Sequence, residues 1–358
     1  MDASKAAVDH TFKMEMKQST KENVERLYRE TRLFEPLITK DISTVVTEQG
    51  NHLEGLIYAV KTASSVENKL ERDAEKYAEA KDESDTQFDA VKSLSKMKDL
   101  IRYTEICPHN DIVRTTRETI EKMTESGYVL SGTKNFYEHP FSSTGYKGIH
   151  LNFVSPYGQE IELQVHSQES FDAKQKGHVL YEQMRSVSVR PEVKNRLRSE
   201  AFAIHGAVPD PPGIGQIKDY TLNKEKKNAL LQERREATNV YSKMKQGDEE
   251  REETIAYRVQ VNGKDALYGF EHTFPDGSVW ACHCTPEDKG AHFYELTEKG
   301  EQVSDTQVKA HPFSIGSILI AANKQKAEHE KWMNLYFPDR EVEADRGPVP
   351  IEKSNNNR

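Results

Sequence analysis

The chain has 358 residues, a formal charge of −9, and 30% charged against 35% hydrophobic residues. That length buries a real core and, at about 150 residues per domain, predicts two domains. The composition leaves no apolar run near the ~18 residues of a spanning helix, which excludes a membrane protein, and the net charge excludes a surface that attracts nucleic acid as a whole.

The N-terminus lacks the apolar stretch of a secretory signal, and Cys107, Cys282 and Cys284 are too few for a disulfide framework. A cytoplasmic protein is expected, acting in its own cell or delivered into another. Thr11 to Glu48 carries apolar residues at helical spacing and predicts one or two helices. After a short apolar segment, His52 to Val60, Ser64 and Glu67 have the spacing of a capping box and predict a helix to about Lys81. Lys98 to Ile106 is a strand candidate and Asp111 to Glu125 a helix. Gly145 to Ser167 reads as two alternating strands around a Ser155-Pro156-Tyr157-Gly158 turn. Helices follow over Gln168 to Ser186 and Pro191 to Ile204, before a proline-rich break at Val208 to Gly213.

Leu222 to Lys245 reads as a highly charged connecting helix. Tyr257 to Val261, an Asn262-Gly263 turn, Ala266 to Phe274, a Pro275-Asp276-Gly277 turn and Val279 to His283 describe a β-meander, joined by Ala291 to Leu296. Ile315 to Tyr336 reads as a closing helix and Glu341 to Arg358 as a disordered tail. The expected class is α+β, a mixed sheet flanked by helices plus a small C-terminal β-meander domain. The expected partition is 1–50 for N-terminal helices, 51–213 for the main domain, 214–247 for the connecting helix, 248–340 for an accessory or regulatory unit and 341–358 for the tail.

Chemistry concentrates in the main domain. A two-residue period sends Tyr146, Gly148, His150 and Asn152 to one face of the first strand, and Glu160, Glu162, Gln164 and His166 to one face of the second. A sheet with one wet side explains the alternation but not the residue types, since two imidazoles, a carboxylate, amides and a phenol are not a generic solvated face. Upstream, Lys61 precedes the capped helix, on which Lys69 and Arg72 are three apart and share a face. Three cations around a helix start suit a triphosphate. Asp99 heads a strand, and its hard carboxylate could share a magnesium ion with Glu162.

The runs VKTASSVENKLER, KDLIRYT, GYKGIH and IELQVHS resemble, in order and spacing, the synthetase motifs of the RelA/SpoT alarmone synthetases, over about Leu53 to Ile204. The resemblance implies a pyrophosphokinase that moves the β,γ-pyrophosphate of ATP to the 3′-hydroxyl of a purine nucleotide. It implies ATP binding by Lys61, Lys69 and Arg72, with Lys134 a weaker candidate, and magnesium on Asp99 and Glu162. It puts the tyrosine that stacks on the acceptor base at Tyr146 and the nearby strand histidine at His150, with Gln164 and His166 also on the acceptor side.

Two departures touch the acceptor side: Arg102 stands where the family has glycine, and His166 where it commonly has arginine. The RYT and ELQVHS forms and the run ESFDAKQKGHVLYEQMR look more like the toxic small alarmone synthetases. In those, Lys174, His178, Tyr181, Glu182 and Arg185 would continue the site, 174, 178, 181 and 185 lying on one helical face. The toxin-like forms admit the 3′ end of tRNA as an alternative acceptor, and an antitoxin or immunity protein as partner. No His-Asp pair marks a hydrolase domain, so synthesis without hydrolysis is expected. A reading of another class is a catalytically silent nucleotide-sensing or partner-binding module, against which the intact Asp99 and Glu162 speak. Cys282-His283-Cys284 is a poor metal site, because a strand sends His283 to the opposite face from both sulfurs. Trp280, Cys282 and Cys284 are instead expected on the buried side of the meander.

Overall fold

Two alternating stretches that each have one apolar face need a partner layer on that face, and the fold supplies it. The structure is a computed structural model that describes residues 18–56, 59–79, 88–185, 189–246, 253–273, 279–285 and 292–296. In chain order it runs α1 (Gln18–Leu33), α2 (Glu35–Glu48), β1 (His52–Glu54), α3 (Ala63–Glu79), α4 (Ala90–Leu94), β2 (Ile101–Ile106), α5 (Ile112–Glu125), β3 (Val129–Asn135), β4 (Ile149–Val154) and β5 (Glu160–His166). It continues with α6 (Gln168–Arg185), α7 (Pro191–Gly206), β6 (Tyr220–Thr221) and α8 (Lys224–Glu236). Last come β7 (Thr238–Gln246), β8 (Glu253–Val261), β9 (Lys264–Thr273), β10 (Val279–Cys284) and β11 (His292–Leu296).

The first sheet has the strand order β1-β2-β5-β4-β3-β6, with β2 parallel to β5 and its other neighbours antiparallel. It is the mixed sheet of an α+β fold, as expected. Ile101 and Tyr103, Ile149, Leu151 and Phe153, and Ile161, Leu163 and Val165 are buried in one cluster with Leu37, Ile38, Ile42 and Val45 of α2 and Ile112 and Met123 of α5. The opposite face is thereby left for polar side chains. A second cluster joins α1, α3 and α4 through Val24, Tyr28, Val66, Leu70 and Leu94. Val66 and Leu70, four apart on α3, are fully buried, each contributing roughly 1.5–3 kcal/mol, and this fixes the rotation of the helix that carries Lys69.

The cap of α3 differs from expectation. The helix starts at Ala63, Thr62 Oγ1 accepts the Ser65 N–H at 3.2 Å and Thr62 O accepts the Val66 N–H. Thr62 is therefore the cap, and Ser64 lies inside the first turn. The connecting helix is also shorter than its charge pattern predicts. It ends at Glu236, and Thr238–Gln246, expected as its second half, is strand β7, paired along its length with β8. Nor is α8 a free arm: Lys227 binds Glu160 at 3.0 Å, Arg234 donates to Val154 O at 2.6 Å and Arg235 to Gly158 O at 3.0 Å.

β7 to β11 form an antiparallel meander in spatial order β11-β10-β9-β8-β7. Asn262 and Gly263 turn between β8 and β9 with φ of 51° and 75°, the left-handed pair that a tight hairpin demands. The Pro275-Asp276-Gly277 turn, the Ile315 to Tyr336 helix, the tail, and the side chains of Trp280, Cys282 and Cys284 lie outside the described residues. No helix among the described residues is long and apolar enough to cross a membrane.

The apolar side of the sheet also encloses an acid. Glu105 is fully buried, accepts from Asn51 at 2.7 Å and from Thr119 at 3.0 Å, and burial, against those two bonds, pushes its carboxyl up to about 7. A carboxyl raised on folding contributes stability that is complete below its unfolded value, about 4.5, and is lost as pH rises through 7. We expect melting to fall by roughly 3 kcal/mol equivalent between pH 5 and 8, and Glu105→Gln to flatten that slope. Thermal denaturation across the range checks it, and identical slopes in the two proteins would contradict it.

Candidate active site

The ladder registers decide which side chains meet on the polar face. Arg102 of β2 stands opposite Glu162 of β5, which stands opposite Asn152 of β4, in turn opposite Gly132 of β3. The next row is Thr104, Gln164, His150 and Lys134. Glu162, His150, Asn152 and Gln164, read from alternation alone, do share a face. Glu160, expected with them, is engaged at the strand's start by Lys227.

Glu162 is the hub. Gln164 Nε2 donates to its Oε1 at 2.6 Å, and His150 Nδ1 lies 3.2 Å from its Oε2. Burial alone would raise this carboxyl, but His150, Arg102 and Gln164 outweigh burial and hold it at about 2. Beside it, Asn152 Nδ2 is a buried donor with no partner among the described residues, so the row through Glu162 has an unmet hydrogen bond to give.

The second centre is Asp99. The Lys61 and Lys69 ammonium groups each donate to one of its oxygens at 2.7 Å. Burial would raise the acid, but the two lysines overcome burial and keep it well below the usual carboxylate range. Backbone pairing puts Lys61 there: Val60 bridges Ile101, so Lys61 and Arg102 point to the side opposite that pair, and Tyr28 of α1 donates to Lys61 O at 2.8 Å. Arg102 acts electrostatically on both Lys61 and Glu162, so the two centres adjoin through it. Arg72 is half-buried on α3, and the side-chain bonds to Asp99 come from Lys61 and Lys69. Lys134 is exposed and pairs with Asp219 at 2.8 Å.

Tyr146 differs from expectation. The strand begins at Ile149, not Gly145, and Tyr146 folds inward from the preceding loop. Its hydroxyl lies 2.7 Å from His150 Nε2 and 2.9 Å from His166 Nε2. Its ring meets those of Phe136, His150, His166 and His205 edge-on at 5.4–5.7 Å. The residue as a whole is half-buried. His166 is fully buried and spends its other nitrogen on Ser170 Oγ at 2.8 Å. Burial, with Lys174, His150 and His205 nearby, keeps its imidazole neutral. Its two ring nitrogens are thus taken by the Tyr146 hydroxyl and Ser170. Gly148 makes room for this, since a Cβ there would lie 2.6 Å from both His166 Cε1 and the Tyr146 hydroxyl.

From α6, Lys174 donates to Gln164 Oε1 at 2.6 Å and Thr104 Oγ1 at 3.1 Å. His178 and Glu182 are exposed and Tyr181 half-buried further along the helix, while the Arg185 side chain lies outside the described residues. Ser170, Phe136 and His205 were not foreseen. Only Ser170 had a signal, lying four residues from both His166 and Lys174.

As for magnesium, the described residues contain no group of three His, Cys, Asp or Glu side chains that could hold a metal. The donor chemistry of Asp99 and Glu162, two ionised carboxylates, nevertheless fits an ion that takes one or two protein carboxylates and completes its shell with phosphate and water.

No family profile matches the chain, and no curated protein matches it. Solved structures do. The chain is similar to small alarmone synthetase 1 from Bacillus subtilis bound to its product pppGpp, at 17% identity and a TM-score of 0.35, over 51% of this chain and 91% of that one. It is similar to the Type VI effector Tas1, solved in complex with its immunity protein, at 17% identity and 0.35, over 52% and 96%. A GTP pyrophosphokinase family protein from Streptococcus pneumoniae matches at 16% identity and 0.35, over 61% and 98%.

Proposed function

We propose that the chain is an ATP-dependent pyrophosphokinase that transfers the β,γ-pyrophosphate of ATP to the 3′-hydroxyl of a purine nucleotide, making a (p)ppGpp- or (p)ppApp-type product. The observation that carries this reading is the ionised Glu162 at the centre of a polar sheet face, with Arg102 across the ladder and the Lys61–Asp99–Lys69 cluster adjoining it.

In the proposed reaction the 3′-oxygen attacks the β-phosphorus. The bond from that phosphorus to the α,β-bridging oxygen breaks, and AMP leaves with the electron pair. Transfers of this kind depend chiefly on positioning and charge neutralisation. Lys61 and Lys69, already within a half-buried pocket of charge, turn their ammonium groups from Asp99 to the phosphates, with Arg72 beside them on α3. Asp99 and Glu162 would hold magnesium, which would supply further neutralisation of phosphate charge. Glu162 takes the hydroxyl proton. In the ligand-free site the surrounding cations leave it a weak base, and the negative charge of ATP opposes those cations and raises its basicity.

Incubation of γ-labelled ATP separately with GTP, GDP, ADP and deacylated tRNA tests the reading. Label is expected on a free purine nucleotide. Label on tRNA alone would replace the acceptor, and none on any of them would end the enzymatic reading.

A further inference from the structure

The polar face carries more positive charge than ATP binding at Lys61 and Lys69 uses. Arg102 is half-buried, and its guanidinium makes no hydrogen bond among the described residues. A planar guanidinium whose donors meet water rather than a protein acceptor is open to bidentate bonding by a phosphate. Lys174 reaches the same region from α6, and both its bonds end on neutral oxygens. Glu162, whose charge acts on both cations, already has its two oxygens engaged by Gln164 and His150.

We infer that Arg102 and Lys174 form a second anion subsite, further along β2 than Lys61 and Lys69, which takes a phosphate group of the acceptor. That the phosphate belongs to an acceptor rests on the pyrophosphokinase reading; the anion subsite itself does not. The register supports a separate position, because Lys174 binds the Thr104–Gln164 row while the Asp99 cluster precedes the Arg102–Glu162 row.

Proton uptake gives the subsite a signature. Burial, and then the charge of Arg102, lower Lys174 to about 7 against the support of Glu162. The groups facing it are Arg102 and the neutral Thr104 on β2, and Glu162, neutral Gln164 and neutral His166 on β5. A bound phosphate adds negative charge and favours the ammonium, so the lysine gains about half a proton at pH 7.

Calorimetric titration of inorganic pyrophosphate into the full chain saturated with α,β-methylene-ATP, at pH 7 in buffers of different ionisation heat, tests this. The wild type is expected to take up about half a proton more than Lys174→Arg on binding, the titration of pyrophosphate itself being common to both. Lys174→Arg keeps the binding and loses the lysine's share of the uptake, because its guanidinium is always charged, and Arg102→Gln weakens binding by roughly tenfold or more. Absence of pyrophosphate binding, the same proton exchange in the wild type and Lys174→Arg, or unchanged affinity in Arg102→Gln would each overturn the subsite. A Lys174-dependent uptake in a chain that transfers nothing from ATP would keep the subsite and end the catalytic reading; transfer without that uptake would do the reverse.

Discussion

Replacing Glu162 by glutamine is expected to lower kcat for pyrophosphate transfer by roughly 10²- to 10⁴-fold while leaving the fold in place. The amide has the same shape and keeps one oxygen toward the Gln164 amide, 2.6 Å away in the native protein, so packing changes little. What it loses is the charge that faces His150 and Arg102 and the lone pair that takes the hydroxyl proton. Because Glu162 sits at about 2, the wild-type group is ionised throughout the neutral range, and raising pH cannot rescue the amide. Initial rates with saturating ATP, beside thermal melts of both proteins, separate chemistry from folding. Wild-type turnover in a folded Glu162→Gln protein would remove Glu162 from the mechanism.

Asp99→Asn is expected to damage both activity and stability. Each carboxylate oxygen holds a lysine at 2.7 Å, and those lysines are 20% and 30% exposed. The amide leaves two ammonium groups facing each other without a counter-charge. Removing one partner of a fully buried pair costs about 3–5 kcal/mol, and the remaining exposure here discounts that to about 1–3 kcal/mol. The native acid is depressed on folding, so its contribution is complete above its unfolded value of 3.8 and fades as pH falls below it. The stability difference between wild type and variant should therefore be largest at neutral pH and shrink on acidification. Transfer should fall by about 10²-fold or more, as for loss of a charge that organises phosphate binding. Denaturant melts at pH 7 and pH 3 check the sign. A variant as stable as wild type at pH 7 would show that the lysines do not depend on Asp99.

Local periodicity made much of this site legible. The alternation in 149–154 and 160–166 has one solution that buries Leu151, Phe153, Leu163 and Val165, and that solution turns His150, Asn152, Glu162 and Gln164 the other way. Lys69 was legible because Val66 and Leu70 fix the face of α3. What could not be read locally is partner choice. That β2 lies parallel beside β5, bringing Arg102 to Glu162, is a pairing across 60 positions that no local pattern encodes. That Asp99 is clamped by two lysines is likewise a three-dimensional fact.

The errors have the same origin. Thr62, Ser64 and Ser65 all offer hydroxyls, and where the chain leaves the Val60–Ile101 bridge decides which becomes the cap. In 238–246 a charged composition masked β-forming residues, Val240 and Tyr241 among them, and pairing with β8 prevailed over helical continuation. Gly145 to Gly148 reads as the head of an extended strand, yet the strand starts at Ile149 and Tyr146 reaches His166 from the loop before it.

The most direct test of the central claim is the fate of ATP labelled in its β-phosphate when a purine nucleotide acceptor is present. AMP is expected one for one with a product carrying both labelled and γ-phosphates on its 3′-oxygen, and neither is expected from Glu162→Gln. Release of ADP with a single transferred phosphate, or AMP production undiminished by Glu162→Gln, would contradict it.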